Sequence, residues 1–139
     1  MRVALDTMIF IYMFEANPDY SSQLKLLFDR IEQGKFQAVT SFISPLEVFS
    51  SPAFEEATDR LVTYSHFFQK SPNLSLVPVN WEIALQAAQL RRKHRSLKTP
   101  DAIQVATGIV EMADTFITND ERLTRLKLPL KITPIGEYR

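Results

Sequence analysis

At 139 residues, with hydrophobic side chains making up 45% and charged ones 23%, the chain is long enough to bury a continuous core and is expected to form one domain over 1–139. The 16 basic side chains balance 16 acidic ones, so overall charge makes no case for a nucleic-acid or membrane partner, and any such case must come from local clustering. The absence of cysteine excludes disulfide frameworks, thiolate zinc sites and cysteine nucleophiles, and two histidines leave little for imidazole ligation.

The N-terminal segment MRVALDTMIFIYMF puts Arg2 before an apolar run, a superficial likeness to an export signal. Asp6 interrupts that run, no small-residue cleavage pattern follows, and nothing approaches the roughly 18 apolar residues that span a bilayer. The expectation is a cytoplasmic protein with no membrane partner. RVALD (2–6) is short and apolar, as a buried strand is, and Thr7 is placed to cap a helix reaching about Phe14. NPDYSS (17–22) is a turn with capping serines, and Leu24, Leu27, Phe28 and Ile31 form a helical stripe that stops near Gly34.

FQAVTSF (36–42) has strand composition, and Ser44, Pro45 and Glu47 open a short helix in SPLEVFS. After Pro52, residues Phe54, Ala57, Leu61, Tyr64 and Phe68 keep helical spacing up to SPN (71–73), and the aromatics among them suit a core or a subunit interface. LSLVPV (74–79) is a third strand, which Pro78 either ends or confines to a sheet edge. Asn80 caps a helix from Trp81 to about Arg95 that turns Ile83, Ala87 and Leu90 inward. The next helix begins at Thr99–Asp101, with Ile103, Ala106, Ile109, Val110 and Ala113 apolar. TFIT (115–118), a turn at 119–120, a short helix ERLTRL and LKITPI (130–135) complete the series.

Strands alternating with helices imply an α/β fold, a three-layer α/β/α sandwich around a parallel sheet of four to five strands. In such sheets the ligand crevice lies beyond the carboxyl ends of the strands. Asp6 ends the first strand and Asp120 follows the fourth, while Glu47 and Asp101 lie in the first turns of helices that begin on the same edge. Each acid has a local role open to it as well. Ser44 to Glu47 fits a capping box, Asp101 complements a helix dipole behind a Thr99 cap and Pro100, Asp120 suits a turn, and Asp6 suits a cap.

Carboxylates within a few ångströms of one another repel by several kcal/mol, so a cluster of them protonates, finds cationic side chains or binds a cation. Oxygen-only ligands select Mg²⁺ or Mn²⁺, and Mg²⁺ keeps several waters and joins phosphate-bearing substrates, which points to phosphoryl transfer. Asp6 and Asp101 are read as principal ligands, Glu47 as a ligand through water or an aid to deprotonating the nucleophile, and Asp120 as holding a second ion or its water shell. Thr7 and Thr118 suit supporting hydrogen bonds.

In order and spacing, LDTMIFIY with Asp6, SPLEVFS with Glu47, TPDAIQVATG with Asp101 and FITND with Thr118 and Asp120 resemble the four acidic motifs of PIN-domain nucleases. Among these the chain looks most like the compact VapC-type toxins of bacterial and archaeal toxin–antitoxin pairs, over nearly its whole length. The resemblance implies an endoribonuclease dependent on Mg²⁺ or Mn²⁺, often homodimeric and held inactive by a protein antitoxin. By position, Asp6, Glu47, Asp101 and Asp120 would be the acidic cluster and Thr118 its accompanying hydroxyl.

RRKHRSLK (91–98) precedes Asp101, and Arg91, Arg92, Arg95 and Lys98 either clamp an RNA backbone or offset the negative end of their helix. Arg122 and Arg125 lie near the same crevice, and His94 is read as a solvated member of the run. A haloacid-dehalogenase phosphatase needs a second aspartate where Met8 stands, and a receiver domain needs one where Asn80 and Glu82 follow the third strand. The rival of another class is a PIN-fold module that binds RNA or protein without cutting.

Overall fold

Along the first strand Val3 and Leu5 project to one side and Ala4 to the other, so a single apolar stretch contributes to two separate cores, the pattern of a strand buried on both faces. The computed structural model describes residues 1–139. Strand β1 (Arg2–Leu5) leads into α1 (Thr7–Phe14) and α2 (Ser21–Glu32), and β2 (Gln37–Ser41) into α3 (Ile43–Phe49), a 3₁₀ turn (Pro52–Glu55) and α4 (Thr58–Lys70). Strand β3 (Leu74–Val77) precedes α5 (Trp81–Lys93) and α6 (Thr99–Val110); β4 (Thr115–Thr118), a 3₁₀ turn (Glu121–Arg125) and β5 (Ile132–Pro134) follow.

All pairings in the five-stranded sheet are parallel, in the order β3-β2-β1-β4-β5, with Ala4 opposite both Val39 and Phe116. The chain builds outward from β1 to β2 and β3, then crosses back to add β4 on the other side. The order therefore reverses between β1 and β4, and a crevice opens at their carboxyl ends. Leu24, Leu27 and Ile31 of α2, Val48 of α3 and Phe68 of α4 cover the Val3–Leu5 face. Ile83, Ala87 and Leu90 of α5 with Ala102, Val105 and Ala106 of α6 cover the other, completing an α/β/α sandwich.

Several local expectations are corrected. Asp6, not Thr7, caps α1: its backbone is extended and its carboxylate accepts the Thr7 N–H. The helix α3 begins at Ile43, whose N–H the Ser41 hydroxyl accepts at 3.1 Å, so Ser44 lies inside its first turn and the capping box does not form. No side chain caps α2 or α6, and Thr99 is the first helical residue of α6. Phe54 belongs to a 3₁₀ turn capped by Ser51, so the long helix starts only at Thr58. Asn80 does cap α5, accepting the Ile83 N–H at 2.9 Å, and β3 is an edge strand that stops before Pro78. No helix is long and apolar enough to cross a membrane.

The burial of α6 is broader than a simple stripe, because it lies between α5 and the centre of the sheet: Ala102 and Gln104 through Gly108 are all buried. Gly108 permits this approach, since a Cβ there would stand 2.8 Å from Leu130 Cδ2 and 3.0 Å from the Ala4 Cβ on β1. Gly108→Val is therefore expected to destabilise the fold by roughly 1–3 kcal/mol through overpacking, read as a lowered denaturation midpoint with an unchanged m-value.

Candidate functional site

Asp6 leaves β1 at the reversal point. Its N–H still pairs with the Ile117 carbonyl at 3.0 Å, which extends the ladder by one residue and fixes its side chain at the crevice edge. The carboxylate is 8% exposed and takes two donors: the Thr7 N–H on Oδ1 at 2.8 Å and the Thr118 hydroxyl on Oδ2 at 2.6 Å. No cation meets it. Burial accordingly raises its pKa from an ordinary 3.8 to about 6 against the pull of those two hydrogen bonds, with the charges of Asp101 and Glu47 adding to the rise.

Thr118 links two of the acids, because its Oγ1 also accepts the Asp120 N–H at 2.9 Å. Asp120 binds Arg122: Oδ1 accepts from the Arg122 backbone N–H and Nε, both at 3.0 Å, and Oδ2 from Nη2 at 2.8 Å. That guanidinium holds its pKa below the usual carboxylate range. Half-buried Asp101 is pushed upward, first by desolvation and then by the charges of Asp120 and Glu47, with Arg122 and Lys98 opposing. The preceding Asn119 is anchored by donating to the Tyr12 hydroxyl at 2.6 Å.

Glu47 stands on α3 and accepts the Thr7 hydroxyl on Oε1 at 2.6 Å. Beneath this bond lies a buried polar cluster that the sequence did not reveal. Gln104, 2% exposed, donates to Thr7 Oγ1 at 3.0 Å and to Ser44 Oγ at 2.8 Å. The only sequence signal for it was a lone amide three residues after Asp101 on an otherwise apolar helix, which puts both on one helical face. Above it Glu47 borders a hollow of about 170 Å³ walled by Ile11, Phe14, Phe54 and Tyr64.

The structure thus brings Asp6, Glu47, Asp101 and Asp120 to one edge, near enough that Asp101 and Glu47 act on Asp6, and Asp120 and Glu47 on Asp101. No three acidic or histidine side chains stand together closely enough to hold an ion unaided. Asp6, Glu47 and Asp120 each accept from a donor of their own. The donor set still suits a hard divalent ion, which commonly takes one or two carboxylates and completes its shell with water and phosphate. Asp6, buried and without a cationic partner, is the group such an ion would relieve.

Of the expected basic clamp, only Lys98, joined by Arg122, exerts a field on Asp101. Arg91 donates its Nε to the Leu97 carbonyl at 3.0 Å, and with Arg92, Arg95 and Ala88 it lines a separate open hollow.

The model of the PIN domain family matches residues 3–128. No curated protein matches the chain. Among solved structures it is similar to VapBC2 from Rickettsia felis bound to a DNA fragment from their promoter, at 20% identity and a TM-score of 0.67 over 96% of this chain and 98% of that one. It is also similar to a toxin–antitoxin complex from Klebsiella pneumoniae, at 20% identity and a TM-score of 0.68 over 97% and 98% of the two chains. FitAcB from Neisseria gonorrhoeae has a TM-score of 0.69 at 17% identity, again over 97% and 98%. At these identities the likeness is one of fold.

A raised folded-state pKa means that the native chain holds the Asp6 proton more tightly than the unfolded chain does. Its contribution is complete below pH about 4 and is lost as pH climbs through about 6. The metal-free protein is therefore expected to lose on the order of 1–3 kcal/mol across that window. Asp6→Asn should remove this loss and be the more stable protein at pH 8 in a chelator, as read by urea denaturation.

Proposed function

The chain belongs to the PIN domain family, and from that premise we propose that it is a Mg²⁺- or Mn²⁺-dependent endoribonuclease, the toxin of a toxin–antitoxin pair, acting in the cytoplasm as one domain. The observation that carries this reading is Asp6: a buried carboxylate with hydrogen-bond donors but no cation, at the reversal point of a parallel sheet, with three further acids on the same edge. Asp6 and Asp101 would hold the ion, with Glu47 and Asp120 beside them. When bound, the ion lowers the pKa of a water and neutralises charge developing on the scissile phosphate.

The chain's own residues supply the rest. Thr118 fixes the Asp6 carboxylate and the Asp120 turn together, so that both keep their place as the phosphate arrives. Glu47 stands at that edge and suits the role of proton acceptor from an attacking water. Arg122 and Lys98 act on Asp101 and are suited to the phosphate oxygens, while Arg92 and Arg95, at a separate hollow, would meet the RNA backbone farther from the cut. The mostly apolar hollow beside Glu47 would flank the cut.

Two protein partners belong to this reading. The toxin–antitoxin complexes of similar fold support an antitoxin. A second copy of the chain is supported by exposed apolar side chains beside β3: Trp81 is 77% exposed, Leu85 lies one turn along the same face of α5, and Phe42, whose N–H pairs with the Val77 carbonyl, brings Leu46 and Val79 near.

With Mn²⁺ the protein is expected to cut single-stranded RNA and to stop when the ion is chelated. Asp6→Asn and Asp101→Asn should each lower the rate by at least about a hundredfold while circular dichroism stays native. A folded, metal-loaded protein that binds RNA tightly without cutting it would instead be a PIN-fold binder. Replacing Arg92 and Arg95 with alanine should weaken RNA binding for every sequence and reduce the salt slope of the affinity by about 0.7 per lost contact, measured by fluorescence anisotropy.

A further inference from the structure

The hydroxyl groups beneath Glu47 can be assigned their protons in sequence, because the chain ends on a group that can only accept. Thr40 Oγ1 lies 2.8 Å from the Leu5 carbonyl oxygen, so the Thr40 proton points there. In the 2.6 Å contact between Thr40 and Ser44 the donor must then be Ser44. Ser44, its proton so engaged, can only accept from Gln104, which fixes the amide with Nε2 toward Ser44 and Thr7 and Oε1 toward the Ser41 N–H, 3.4 Å away. The second Nε2 proton meets Thr7 Oγ1 at 3.0 Å, leaving the one Thr7 proton for Glu47 at 2.6 Å, since Ser44 is 3.4 Å distant. No buried side-chain nitrogen or oxygen lacks a partner.

Gln104 is thus the root of two chains, one closing on the backbone of β1 and the other on a carboxylate at the crevice. We propose that Gln104 is a positioning residue: by filling an acceptor site of Thr7 it directs the Thr7 hydroxyl onto Glu47 and so holds an otherwise exposed carboxylate at the edge shared with Asp6 and Asp101. The link to ion binding rests on the nuclease reading above; the orientation of Glu47 by Gln104 does not. A glutamine is suited to this place because it brings two protons to two hydroxyls. A glutamate of the same shape brings none, and would draw the Thr7 proton to itself and away from Glu47.

The test compares the wild-type chain with Gln104→Met, Gln104→Glu, Thr7→Val and the Gln104→Met/Thr7→Val double variant by Mn²⁺ titration calorimetry and by RNA cleavage kinetics. Gln104→Met and Thr7→Val should each weaken Mn²⁺ affinity about tenfold or more and lower kcat with KM for RNA unchanged, and the double variant should be no worse than either single one. Gln104→Glu should be at least as impaired as Gln104→Met; should it fail to fold, Gln104→Met carries the test. A folded Gln104→Met protein with wild-type Mn²⁺ affinity, or effects of Gln104→Met and Thr7→Val that simply add, would overturn the proposal.

A second measurement, urea denaturation in a chelator, needs neither metal nor RNA. Glu47 and Gln104 share no hydrogen bond, yet Glu47→Ala and Gln104→Met should show a coupling free energy that disappears in the Thr7→Val background. If the wild-type chain takes up no Mn²⁺ and cuts no RNA, the nuclease reading fails, and this coupling alone decides whether Gln104 orients Glu47: zero coupling would refute it.

Discussion

The carboxylate of Asp6 occupies a position that no neighbouring side chain neutralises. Parallel pairing carries its backbone into the ladder beside Ile117, burial strips away most of its water, and only the Thr7 amide and the Thr118 hydroxyl compensate. A buried acid in this condition either keeps a proton well above its ordinary range or attracts a cation. The charges of Asp101 and Glu47 add to that tension, and the Thr118 hydroxyl relieves part of it.

Topology explains why the tension falls where it does. A sheet whose order reverses between β1 and β4 opens a crevice at their carboxyl ends, and helices that follow parallel strands start at that same edge. Glu47 arrives there on α3, which follows β2, Asp101 on α6, which follows α5 and leads back into β4, and Asp120 through the turn after β4. The small residues of α6, with Gly108 against Ala4, let that helix settle close to the sheet and bring Gln104 under the crevice. Packing on the buried side and polar order at the edge are therefore two consequences of one helix placement.

The alternation of short apolar strands with amphipathic helices made the sandwich and its parallel sheet legible in the sequence, and the position of each acid relative to its strand or helix made the shared edge legible too. Caps were not, because they depend on which residue first adopts helical backbone angles. Asp6 with an extended backbone caps α1 where Thr7 was expected to, and a helix that starts at Ile43 leaves Ser44 unable to cap and free to enter the buried cluster. Gln104 was hidden for another reason: a single polar residue on an apolar helix carries no periodic signal, and its partners Thr7 and Ser44 are 97 and 60 residues away in the chain. The basic run was visible as composition, but the direction in which each guanidinium points was not; Arg91 turns to the Leu97 carbonyl rather than toward Asp101.

Asp6, Glu47 and Asp120 each accept from a local donor, and a divalent ion at this edge would gather at least Asp6 and Asp101 around itself. Anomalous diffraction from crystals of the wild-type protein grown with Mn²⁺ tests this most directly. A peak bonded to carboxylate oxygens of both Asp6 and Asp101 is the expected result. No peak at that edge, with Asp6 still bonded only to Thr7 and Thr118, would contradict it.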